Sequence, residues 1–309
     1  MDLPSEDALR WIVRTYARLR ARHGEAIAAP ALVLPTAAFF PDEFRGDAPG
    51  VARLLRRVMT YAPIADDLPI ELAFLATDDG ASATGCGSIA CGSGPGIRPP
   101  ARGVEELGDG YRVFVTAADV GHPELLTTSL ARSVGALVLS EAGEEVDAEV
   151  ATETAEVAAI ACGFGVLLAN GAAVWAKSCG GLRMASATAL SVEEAAVALA
   201  LFVTVHDVKE SEARAPLHTT QREALDLALA WVASNPLLVE GLRESPAILE
   251  GGMFDIEPVR GLVGRWLHKR RMERELRASP VPAKPASSEE QRRRFEEARA
   301  LVDEVLGGE

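Results

Sequence analysis

The chain has 309 residues, 48% hydrophobic and 25% charged, enough for one or two domains with a substantial core and ordinary for a soluble globular protein. A formal net charge of −14 disfavours general nucleic-acid binding, which needs cations clustered against phosphate. The first residues, Met1-Asp2-Leu3-Pro4-Ser5-Glu6-Asp7, are acidic where a secretory signal is basic, so a cytoplasmic location is expected.

Ser5-x-x-Ala8 opens an amphipathic helix to about Arg22, with Trp11, Ile12, Tyr16 and Leu19 on one face. Residues 31–35 form a short apolar run. Residues 50–62 read as a helix, because Val51, Leu54, Leu55 and Val58 recur at spacings of three and four. Residues 70–76, IELAFLA, read as a strand, and residues 111–116, YRVFVT, as a second. Between them lies a Gly/Ser loop over 78–100, too rich in breakers to be regular.

Four mainly helical segments follow, at about 123–140, 148–176, 191–208 and 219–234. Ser191-Val192-Glu193-Glu194 has the pattern of a capping box at the start of the third. Residues 157–176 carry no charge and are long enough to span a bilayer. They are largely Ala and Gly, with Asn170 inside, so a buried core helix is the better reading and no membrane is expected. Cys162 within them reads as a small core residue.

This order gives an α+β fold: a small early β-sheet followed by a mainly helical body, as one domain over residues 1–277. Residues 278–290 form a Pro/Ser linker, and residues 291–309 a charged C-terminal helix with Phe295, Ala298, Leu301, Val302 and Val305 on one stripe.

Several short segments occur in a telling order. They are Pro35-Thr36-Ala37-Ala38-Phe39-Phe40-Pro41, Leu130-Ala131 after the second strand, Gly163-Phe164-Gly165-Val166-Leu167-Leu168-Ala169-Asn170, and Ala198-Leu199-Ala200-Leu201-Phe202. Together they resemble a group of bacterial proteins with a zincin-like core, across most of residues 30–235. That family's pattern is Pro-x-x-x-Phe-Phe-Pro, a strand, L-A-H-E-L-x-H, an acidic helix running into G-F-G-V-x-x-A-N, and a later A-L-A-L-F helix.

The resemblance implies a metallopeptidase helix at residues 125–139, LLTTSLARSVGALVL, where two His one turn apart bind zinc and a Glu acts as general base. Here the five positions of H-E-x-x-H are Arg132-Ser133-Val134-Gly135-Ala136. Arg is permanently cationic and Ala has no donor atom, so the departure falls on the metal-binding residues. By its distance to the Gly-Phe-Gly segment, Glu156 matches the acidic residue that would complete the metal shell, with Glu153 as its neighbour candidate. Arg132 facing Glu156 is then expected to take the cation's place, with bidentate hydrogen bonds. The plainer alternative makes the two unrelated surface residues on separate helices.

Other chemistry is weakly signalled. The five His (His23, His122, His206, His218, His268) include no pair within a helical turn, so a zinc site would need scattered residues to converge. Cys86 and Cys91 sit in the Gly/Ser loop at C-x4-C spacing, which suits two incidental thiols better than a metal site or a reversible disulfide. No G-K-[ST] follows Gly92-Ser93-Gly94-Pro95-Gly96, and no G-x-S-x-G elbow occurs. Arg260, Arg265, Lys269, Arg270, Arg271, Arg274 and Arg277 make a basic run. Its plain reading is a solvated face; its sharper one is a docking segment for an acidic partner or a second copy, through Arg265, Lys269, Arg270, Arg271 and Arg274.

The expectation is a non-catalytic, degenerate metallopeptidase-like protein, without cofactor or metal, acting as a binding or scaffold module. Its degenerate site would be Arg132, Ser133, Ala136, Glu153 and Glu156, and a protein partner or self-association is expected. The rivals are a hydrolase with a rearranged site, using His122, His206 and Glu156 or the Cys86/Cys91 thiols, and a structural subunit of a self-assembling complex.

Overall fold

Ser5 accepts a hydrogen bond from the amide of Ala8 and so starts α1 (Glu6–His23), whose buried face carries Leu9, Ile12, Val13, Tyr16 and Leu19. The computed structural model describes residues 2–24, 27, 30–75, 103–178 and 181–259, all within a compact unit ending at Val259. The Gly/Ser loop with Cys86 and Cys91, the basic run from Arg260, the linker and the C-terminal helix lie outside the described residues.

Asp47 caps α2 (Ala48–Met59), which buries Val51, Leu55 and Val58 as the periodicity predicts. The sheet has the order β1 (Ile70–Leu75), β3 (Gly110–Thr116), β2 (Val104–Leu107). β1 and β3 run parallel in the register Ile70↔Tyr111 to Leu75↔Thr116. β2 is antiparallel to β3, and pairing of Leu107 with Gly110 leaves Gly108-Asp109 as a two-residue hairpin turn. Alternation along β3 puts Tyr111, Val113 and Val115 into the core, while Arg112 bridges Glu71 and Glu105 at 3.0 and 2.9 Å.

A short α3 (Ala117–Val120), capped by Thr116, turns the chain into α4 (Pro123–Glu141). α4 packs on the sheet and crosses α5 (Ala151–Ala159) closely. The crossing point is Gly135: a Cβ there would lie 2.1 Å from the Ala155 carbonyl oxygen and 2.7 Å from the Ala159 amide nitrogen.

The single helix expected over 148–176 is instead four pieces. A 3-10 turn (Ala148–Val150) leads into α5, a π-helical turn (Ile160–Phe164) follows, and α6 (Gly165–Gly171) completes the run. The break is at Gly163, whose φ of 101° suits only glycine. It lets the extended segment after Pro30 pass against the helix. A Cβ on Gly163 would meet the Ala31 carbonyl oxygen at 2.0 Å, and the Val33 amide donates to the Gly163 carbonyl at 3.0 Å. The run from Ala148 to Gly171 is long and apolar enough to cross a bilayer, but 83% of its most apolar window is buried in this unit. Cys162 is among the buried residues.

Helix ends at Gly171 and an antiparallel hairpin follows, β4 (Val174–Ser178) and β5 (Gly181–Ala185), whereas the sequence pattern suggested helix to about residue 176. The Ser191–Glu194 capping box then forms as expected, starting α7 (Val192–Val205). α7 is the central helix; every residue from Ala195 to Val203 is buried. Around it stand α1, α6, α9 (Thr219–Val232) and α10 (Pro236–Glu244). A short α8 (Glu210–Arg214) precedes α9, and α11 (Pro246–Glu250) packs back on α1.

Candidate functional site

Residues 132–136, where the resemblance would place the metal-binding motif, lie in the middle of α4, where the helix faces both the sheet and α5. Ser133, Val134 and Ala136 are fully enclosed. Arg132 alone reaches an edge, its side chain 21% exposed. The Ser133 hydroxyl donates to the Ser129 carbonyl one turn back at 3.0 Å, so it is engaged within its own helix. The start of β2 passes beside it, at Gly103.

Glu156 on α5 is completely buried, and its carboxylate faces Arg132, Nη1 to Oε1, at 3.7 Å. The two residues are therefore brought together, and are not unrelated surface positions. The expected bidentate hydrogen bonding is absent from the pair: 3.7 Å is beyond hydrogen-bond reach. Each partner is occupied by the segment that links β5 to α7. Arg132 donates through Nη1 to the Ala187 carbonyl at 2.6 Å and through Nη2 to Ser129 Oγ at 3.3 Å. Glu156 accepts from the Ala189 amide at 2.8 Å on Oε1 and 3.1 Å on Oε2, and from the Leu190 amide at 2.9 Å on Oε2. The joint thus ties α4, α5 and residues 187–190 together.

Burial pushes the Glu156 carboxyl up to about 7; the amides of Leu190 and Ala189 and the Arg132 charge act against it, and repulsion from Glu153 adds to it. Glu153, one turn earlier on α5, is half-buried and enters the site only through that repulsion.

The donor set does not fit a zinc ion. Two of the three positions that would ligate or activate it carry a guanidinium and a methyl group, the third a hydroxyl already hydrogen-bonded, and the one carboxylate is held by backbone amides. The rival shell of His122, His206 and Glu156 is not assembled either. His122 stands at the N-terminus of α4 and His206 at the C-terminus of α7. Among the described residues no group of three or more His, Cys, Asp or Glu converges to hold a metal. The proposed partner-binding residues Arg265, Lys269, Arg270, Arg271 and Arg274 lie outside the described residues.

Two features of the site escaped sequence reasoning. Residues 187–190 hydrogen-bond to the joint through backbone groups, which leave no side-chain signal in the sequence. Gly135 sits inside the five-residue motif and sets the helix spacing, a role that a glycine in an otherwise apolar helix hints at. The chain matches no protein-family model, no curated protein and no solved structure.

Proposed function

We propose that the chain is a degenerate, zincin-like metallopeptidase relative that works in the cytoplasm without catalysis, as a binding or scaffold module for a protein partner or a second copy of itself. The observation that carries this reading is the Arg132 guanidinium facing the buried Glu156 carboxylate at 3.7 Å, at the position where the resembling proteins would hold a metal. The local order supports it: a mixed sheet, a short turn from β3 into the helix with the substituted motif, and an acidic residue facing that motif from the next helix. Arg132 and Ala136 stand where the resembling proteins would place ligating imidazoles, so the joint pairs a guanidinium with a carboxyl group and offers no set of ligands for a Lewis acid.

Partner contact is assigned to the basic residues 260–277 and to the terminal helix, on the sequence pattern alone. Two measurements on full-length protein purified without a His tag test the reading. Elemental analysis is expected to give zinc and other transition metals well below one per chain, with no chelator-sensitive cleavage of unfolded casein. About one metal per chain, together with hydrolysis that chelation abolishes, would overturn it. A truncation after Pro280 that leaves every partner interaction intact would remove the terminal helix from the contact.

A further inference from the structure

We propose that the free edge of β1 binds a second copy of the chain, β1 against β1 in antiparallel sense about a two-fold axis at Leu72. The order β1-β3-β2 leaves β1 paired on one side, and among the described residues no backbone group hydrogen-bonds to its other side. The parallel register settles which residues face outward. The Tyr111 amide donates to the Pro69 carbonyl at 3.0 Å, and Ile70 stands opposite Tyr111. Backbone groups alternate along a strand. Pro69, Glu71 and Ala73 therefore point theirs at β3, while the N–H and C=O of Ile70, Leu72 and Phe74 point away from it.

The two edges of the sheet differ. An edge that meets solvent is ordinarily blunted by shortness, charge, proline or a bulge. β2 is blunted in this way: it has four residues, VEEL, with both glutamates exposed. β1 is not. Its six residues, IELAFL, carry one charge, Glu71, which Arg112 holds at 3.0 Å, and they include no proline, glycine or lysine. Ile70, Leu72 and Phe74 pack against the core, so the apolar face of the sheet runs out to this edge.

The residues of β1 suit a copy of themselves. Centred on Leu72, antiparallel pairing sets Leu72 against the partner's Leu72 and Ile70 against the partner's Phe74. These are the outward residues, so each pair exchanges both its backbone hydrogen bonds. The apolar face continues across the seam, with an aromatic set against a β-branched side chain, a favourable cross-strand pair. On the opposite face Glu71 meets the partner's Ala73, a closely spaced pair without like charges. Centring on Glu71 would instead oppose two carboxylates. One strand pair buries less than a standard interface, so the contact is weak and depends on concentration. It rests on the reading of a module that meets a second copy of itself, and names a surface other than residues 260–277.

The test is sedimentation and amide hydrogen exchange of full-length protein from about 1 μM to about 0.5 mM, in EDTA. A dimer is expected to form across that range. With it the Ile70, Leu72 and Phe74 amides gain at least about tenfold protection, while those of Glu71 and Ala73, already bonded to β3, stay unchanged. Ala73→Glu brings carboxylates together twice about the axis and is expected to weaken the dimer about tenfold; Ala73→Lys sets an ammonium against the partner's Glu71 and is expected to tighten it. A chain that stays monomeric throughout overturns the edge contact. So does a dimer whose outward β1 amides stay unprotected, or one of equal strength in the two variants. Wild-type exchange decides the matter even where a variant does not fold. Chelator-sensitive hydrolysis measured before EDTA is added would overturn the functional reading alone, because exchange in EDTA still reads the edge.

Discussion

Glu156 and Arg132 hold the same segment by different means, and the difference has a measurable consequence. Glu156 is the acceptor for two backbone amides, so Glu156→Ala leaves both without a partner inside the protein. Arg132→Ala leaves one carbonyl, Ala187, without its donor, and removes a cation that makes no hydrogen bond to the Glu156 carboxyl. Glu156→Ala is therefore expected to cost about 3 kcal/mol and Arg132→Ala about 1 to 2 kcal/mol in urea unfolding. An Arg132→Ala cost equal to or above that of Glu156→Ala would show the pair to be a true ion pair, with the backbone contacts secondary. Gly135 acts at the same scale through what it lacks. A methyl there would overlap the Ala155 carbonyl at 2.1 Å and force α4 from α5, so Gly135→Ala is expected to lose about 3 kcal/mol. A urea midpoint at the wild-type value would mean that the helices slide apart freely.

At the scale of elements, the helices that the sequence announced are those whose signals are local. Ser5 and Ser191 start their helices as expected, and the buried faces of α1 and α2 follow their apolar spacing; the Asp47 cap, which precedes the helix start read from the sequence at Gly50, was missed. Ser191→Ala is expected to lower stability by about 1 kcal/mol, read as a shift in urea midpoint at unchanged m-value. A wild-type midpoint would show that packing of α7 alone fixes its start. The errors have physical reasons too. Residues 157–176 carry no charge and are largely apolar, so periodicity had little contrast with which to mark the turn at Gly163 or the strand that starts at Val174. What decides that break is tertiary: the segment at Ala31 and Val33 approaches so closely that only glycine fits. β2 was missed although its signal was present, since Gly108-Asp109 beside alternating residues is a hairpin pattern. Of the site, the facing of Glu156 and Arg132 was expected from the resemblance to the zincin-like group, whereas the part of residues 187–190 was not, because they act through amides and a carbonyl.

For the molecule as a whole, the buried carboxyl makes stability depend on pH in an unusual sense. Most folded carboxylates are stabilised in the charged form; Asp42, held below its ordinary range by its hydrogen bond from Arg57, is of that kind and loses stability as pH falls. Glu156 is displaced the other way, from 4.5 to about 7. Between those values the folded chain keeps a proton that the unfolded chain has released. Its contribution is full below 4.5 and is lost as pH rises through 7, a change of about 3 kcal/mol at 1.36 kcal/mol per unit. Titrations common to both proteins cancel when wild type is compared with Glu156→Gln. The wild-type unfolding free energy minus that of the variant should therefore fall by about 3 kcal/mol from pH 4 to pH 8 in urea titrations. A difference that rises over that range would mean the amides and Arg132 outweigh burial, so that the joint is held by the ionised carboxylate and tightens as it loses its proton.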